Sequence, residues 1–107
     1  MAVPKKYRVE VGLAAQLDIK SIKAYIARDK PMAAEEWTKR AREKVLSLDS
    51  FPQRSEVVPE WRVAGKDIRH LLLGNYRIIY RVGEDVVYVL RVIQASRRLK
   101  KSMLPPK

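Results

Sequence analysis

Two spacings of apolar residues divide this chain, and each change of spacing marks the start of a new element. Tyr7-Arg8-Val9-Glu10-Val11 alternates apolar and charged residues, the period of a half-buried strand, and is expected to join a sheet. From Leu13 the period lengthens. Ala15, Ile19, Ile22 and Ile26 recur at helical steps, with Asp18, Lys20, Lys23 and Arg28 assigned to other faces, which predicts an amphipathic helix ending near Asp29. Lys30-Pro31 interrupts it, because a residue before proline avoids the α region while proline suits a first helical position. A second helix therefore starts there, with Ala34, Trp37, Ala41, Val45 and Leu48 as its apolar stripe and Glu35/Lys39 and Glu36/Arg40 as exposed pairs. So short a link predicts an antiparallel helix hairpin, and neither helix is stable unless its stripe lies on something.

The period then returns to two. Ile68 to Leu73 and Tyr76 to Val82 read as strands on either side of Gly74-Asn75, a pair suited to the positive φ of a tight turn. Gly83-Glu84-Asp85 leads on into a third strand, Val86 to Val92. Connections this short exclude crossover helices, so the three strands form an antiparallel meander. Before them, Phe51 to Lys66 carries prolines and mixed charges without a period and reads as a surface loop. The fold class is α+β: an N-terminal strand and a two-helix hairpin packed on an antiparallel sheet.

At 107 residues the chain has room for one core, so residues 1–107 are read as a single domain with a basic C-terminal tail from about 94 to 107. It contains no cysteine, which excludes disulfides and thiolate metal sites. No apolar run approaches the ~20 residues needed to span a bilayer, so a soluble cytoplasmic protein with no membrane partner is expected. Charge alters the picture most. With 23 Lys and Arg against 12 Asp and Glu, the formal net charge is +11, a field that favours a polyanionic partner, either nucleic acid or an acidic protein segment.

Candidate chemistry is sparse. One histidine, His70, and no cysteine leave no Cys-His pair and no histidine-rich metal cluster, so neither metal nor cofactor is expected. What remains is cationic and aromatic: His70, Arg77, Arg81, Tyr88, Arg91, Arg97 and Arg98. Strand alternation puts Tyr76, Ile78, Tyr80 and Val82 on one face of the sheet and Arg77, Ile79 and Arg81 on the other. If the helices cover the first face, the arginines look outward.

These residues carry a family resemblance. A strand, two helices closed by Asp49-Ser50-Phe51-Pro52, the run Gly74-Asn75-Tyr76-Arg77-Ile78-Ile79-Tyr80-Arg81-Val82 in its hairpin, and Val89-Leu90-Arg91-Val92-Ile93 leading to Arg97-Arg98-Leu99 together resemble the RelE/ParE superfamily of bacterial type II toxins. The likeness runs from about Tyr7 to Leu99. It implies one of two activities. RelE-like members cut messenger RNA in the ribosomal A site; ParE-like members bind DNA gyrase and trap it on cleaved DNA. Both are held silent by an antitoxin with an acidic, partly disordered segment.

By this resemblance Arg77 stands at the transition-state arginine of the nucleases, and His70 falls near a position where they place a lysine. The exit from the last strand departs from the nuclease pattern: Gln94-Ala95-Ser96 stands where an arginine or histidine is expected, and Gln94 and Ala95 transfer no proton at neutral pH. The Arg97-Arg98-Leu99 ending is closer to the ParE-like pattern, although Gln94 replaces its histidine. The preferred expectation is therefore a ParE-like gyrase inhibitor whose Arg91, Arg97, Arg98, Lys100 and Lys101 contact the target. The alternative is a RelE-like ribosome-dependent endoribonuclease using Arg77, His70 and Tyr88.

Overall fold

The computed structural model describes residues 5–61 and 67–104. The chain runs β1 (Arg8–Val11), α1 (Leu13–Ala27), α2 (Pro31–Leu46), β2 (Ile68–Leu73), β3 (Tyr76–Val82) and β4 (Val86–Gln94). Single 3₁₀ turns lie at Ser47–Asp49, Pro52–Arg54, Pro59–Trp61 and Lys101–Met103. Pro31 opens α2 at its first turn, as its fixed φ favours. Gly74 alone takes positive φ in the hairpin, at +57°, while Asn75 does not, so only the first central position needs glycine.

The four strands form one sheet in the order β1-β4-β3-β2. The meander is antiparallel, as its short turns require, but β1 pairs parallel with β4, Val9 opposite Val87. The expected antiparallel sheet is therefore mixed. A parallel neighbour needs a long crossover, and the helix hairpin between β1 and the meander supplies it. A bulge at Leu90 in β4 shifts the register, so that Ile79 faces Arg91 and Tyr80 faces Val89.

The helices cover one face of this sheet. Ala15, Trp37, Ala41, Val45 and Leu48 pack on Leu73, Ile78, Tyr80, Val87, Val89 and Val92, so the whole predicted stripe of α2 is in the core. The pairs expected along α2 give way to a contact across the hairpin: Glu35 pairs with Lys23 of α1 at 3.5 Å. Such an exposed pair contributes about 0.2–1 kcal/mol or less. Apolar burial dominates.

The opposite face is covered too. Val58 from the loop, and Leu99 and Met103 from the tail, close over Ile68, Ile79 and Ile93 in a second, smaller core. This corrects the expectation of outward-looking arginines. Arg77 is buried, with 3% of its surface exposed, because the tail folds back across the sheet instead of leaving it. Arg81, nearer the strand end, is exposed and stacks on the Tyr88 ring at 4.5 Å.

Candidate functional site

The β2-β3 hairpin begins the site. His70 lies opposite Ile79, which makes Arg77 its diagonal neighbour on the same face. Residues 56–58 then run along the free edge of β2, with Val57 bridging Arg69, Val58 N–H donating to the Ile68 carbonyl at 2.8 Å and His70 N–H donating to the Glu56 carbonyl at 3.2 Å. That edge pairing carries Glu56 and Glu60 to the histidine and arginine. From the other side β4 ends at Gln94, and a tight turn, with Ala95 N–H on the Asn75 carbonyl at 2.7 Å, sends residues 95–104 back over them.

Arg77 is the hub. Its Nη1 donates to Glu60 Oε1 at 3.2 Å and to His70 Nδ1 at 3.1 Å, and its Nη2 donates to Glu60 Oε2 and to the Arg97 carbonyl, each at 2.6 Å. Both hydrogens of each terminal nitrogen are thereby committed. The remaining donor, Nε, is buried and has no hydrogen-bond partner among the described residues. His70 accepts at Nδ1, which leaves its proton on Nε2 to donate to Glu56 Oε1 at 3.1 Å. Glu60 also accepts the Leu99 backbone N–H at 2.8 Å. The Arg77 hydrogen bonds outweigh the opposing effect of burial, and with the Leu99 bond they hold the Glu60 carboxyl at about 2, against an ordinary 4.5. Glu60 is thus ionised throughout the neutral range, and the pair is locally charge-balanced.

Above this network lies a cleft of about 420 Å³ lined by Pro59, Glu60, His70, Arg77, Ala95, Ser96, Arg97 and Arg98. Its walls therefore gather two residues of the nuclease set, His70 and Arg77, with two of the target-binding set, Arg97 and Arg98. Tyr88 is not among them. It pairs with Arg81, four residues from Arg77 along the strand, or roughly 13 Å at strand rise. Lys100 and Lys101 lie further along the tail, exposed to solvent. Arg91 is turned to a different task at the sheet edge, where it pairs with Asp18 of α1 at 2.7 Å.

With that geometry in place, likeness to known proteins becomes informative. Residues 9–99 match the family described as the ParE toxin of the type II toxin–antitoxin system parDE. The chain belongs to the ParE toxin family. Its fold is shared with the chromosomal ParDE system of P. aeruginosa, at a TM-score of 0.70 and 17% identity over 84% of this chain and 97% of that one. It is also shared with the RelBE2 toxin–antitoxin complex of Mycobacterium tuberculosis, at a TM-score of 0.58 and 22% identity over 86% and 99% of the two chains. No curated protein matches it in sequence.

Three acidic residues of this ParE-family chain escaped sequence reasoning: Glu56, Glu60 and Asp18. The first two sit in an aperiodic loop, where nothing local sets them apart from surface charge. Asp18 did leave a signal. It falls three residues after Ala15 and four before Ile22, on the buried stripe itself, and an acid in such a position requires a partner.

Proposed function

We propose that this toxin acts by binding DNA gyrase and trapping it on cleaved DNA, not by cutting RNA, and that an acidic antitoxin segment keeps it silent. The observation that carries the reading is the commitment of Arg77. A transition-state arginine must offer its N–H groups to a phosphate, and both hydrogens of each Arg77 terminal nitrogen are directed to Glu60, His70 and the Arg97 carbonyl. An ionised carboxylate two hydrogen bonds deep in the same site would further repel a phosphate. His70 is likewise bonded at both ring nitrogens, and Tyr88 is too distant to join it. Gln94 and Ala95 at the strand exit supply no proton carrier.

The surface that remains for a target is the tail. Arg97, Arg98, Lys100 and Lys101 are exposed along it, whereas Arg91 is withdrawn into its ion pair and drops out of the contact set. The net charge of +11 steers a polyanionic partner, the antitoxin segment included, toward the protein. The toxin–antitoxin complexes that share this fold support the antitoxin partner.

The deciding experiment pairs two assays on the purified toxin: gyrase supercoiling with a cleaved-complex readout, and translation with mapping of A-site messenger cuts. Accumulated cleaved DNA with intact messenger is the expected result. Codon-phased messenger cuts with unaffected gyrase would establish the nuclease, with Arg77 and His70 reorganised on the ribosome.

A further inference from the structure

The Arg77–Glu60 pair grips the backbone of the tail at two points, one on each side of Arg98. Arg77 Nη2 holds the Arg97 carbonyl at 2.6 Å, and Glu60 Oε2 holds the Leu99 N–H at 2.8 Å. Both side chains of the pair are nearly buried, at 4% and 11% exposure, so water competes weakly for these bonds. Residues 98–100 have no strand or helix of their own. Their course is set by these two charge-assisted bonds and by Leu99, which is seated in the second core. The side chains of Arg97 and Arg98 consequently project from a backbone fixed on both flanks, and both line the cleft.

We propose that Arg77 and Glu60 are positioning residues: a buried ionic clamp that presents Arg97 and Arg98 to the target without touching it. The inference rests on the reading of the tail as the target-binding element. The pairing explains why an arginine is needed at position 77. A guanidinium can fork between a carboxylate and a carbonyl while also donating to His70, whereas a lysine ammonium carries the same charge as a single point on a flexible stem. It also explains why the pair is ionic. An apolar pair of equal volume would fill the space but leave the Arg97 carbonyl and the Leu99 N–H without partners. A second stitch further on, Arg91 Nη1 to the Met103 carbonyl at 2.8 Å, holds the end of the tail independently. Loss of the clamp therefore frees the segment around Arg98 while the rest of the tail stays docked.

The test uses full-length Glu60→Ala, Arg77→Lys, Arg97→Ala and Arg98→Ala proteins. It reads three quantities: melting temperature, hydrogen exchange at the Leu99 amide against that of Ile78 in the main core, and gyrase inhibition. In Glu60→Ala, which removes the acceptor of the Leu99 N–H, Leu99 exchange should accelerate tenfold or more with Ile78 unchanged, and in Glu60→Ala and Arg77→Lys inhibition should fall at least tenfold. Arg98→Ala should lose inhibition with Leu99 still protected. If Glu60→Ala fails to fold, Glu60→Asp, which keeps the charge but is one methylene short of spanning both partners, reads the same quantities. Unchanged Leu99 exchange in the Glu60 variant overturns the clamp. So does full inhibition by both the Glu60 variant and Arg77→Lys when Arg98→Ala has lost it. If Arg97→Ala and Arg98→Ala both inhibit fully, the tail is not the target-binding element and the inference falls with that reading, whatever Leu99 does.

Discussion

Asp18 and Arg91, 73 residues apart, form a side-on ion pair that closes the edge of the sheet where β1 ends. Arg91 Nε lies 2.7 Å from Asp18 Oδ2 and Nη2 lies 2.9 Å from Oδ1, while Asp18 Oδ2 also accepts the Val92 backbone N–H at 2.9 Å. One carboxylate thus takes the place of the missing neighbouring strand, joining α1 to β4. The hydrogen bonds that Asp18 accepts from Arg91, together with its charge, outweigh burial and raise the Arg91 pKa further. Asp18→Ala leaves a cation and an edge N–H unpaired in a half-buried site, so a loss of about 2–3 kcal/mol is expected. Asp18→Asn keeps one acceptor and should cost clearly less. Urea denaturation of both variants measures this, and a loss below about 0.5 kcal/mol for Asp18→Ala would place the pair among weak surface contacts.

Acid should destabilise this protein partly through Glu60. Its carboxyl titrates near 2 in the folded chain, against 4.5 ordinarily, so the folded state binds the proton more weakly than the unfolded state. The stability that follows is fully present above pH 4.5 and is lost as the pH falls toward 2. That contribution is on the order of 2–3 kcal/mol. Thermal melts between neutrality and pH 2 should show a steep acid limb in the parent protein and a shallower one in Glu60→Gln. Parallel limbs would show that other carboxylates govern acid unfolding.

Tyr80 ties the loop after α2 to the middle of the sheet. Its ring is fully buried and its hydroxyl donates to the Pro52 carbonyl at 2.6 Å. Tyr80→Phe keeps the ring but strips the carbonyl of this donor, which should cost about 1–3 kcal/mol in chemical denaturation. Burial, the largest cause, pushes the phenol above its usual 10. Because the raised group favours the protonated folded form, its contribution is complete below pH 10 and is lost as the pH rises beyond it. Its ionisation in an ultraviolet titration should coincide with unfolding.

The hairpin turn offers a purely conformational test. Gly74 has φ +57°, and no heavy atom lies within 4 Å of the position that a Cβ would occupy. Gly74→Ala therefore meets no steric clash and should cost only the left-handed backbone penalty, about 1–2 kcal/mol. Gly74→Asn should recover part of that, since asparagine tolerates the region better. Equal stability of all three proteins in urea would show that the turn relaxes to another geometry.

Local pattern carried the elements of this protein. The helix stripe of Ala34, Trp37, Ala41, Val45 and Leu48, the proline start at Pro31 and the Gly74 turn each depend on residues within a few positions of one another. Apolar periodicity and backbone preference therefore reveal them directly. The run from Tyr76 to Val82 even assigned its two faces correctly. What lay on the second face was decided elsewhere. The parallel docking of β1 on β4, the return of the tail over Ile79, the Arg77–Glu60 pair and the Asp18–Arg91 pair all join distant parts of the chain. Charged residues have no periodic signature that names a partner, because an exposed acid and one that will be buried against an arginine look alike in sequence. Only the closure of the tail over the sheet, which removes water from Arg77, separates the two. By that closure, both terminal nitrogens of the arginine that the sequence offered as a catalytic group are hydrogen-bonded inside the fold.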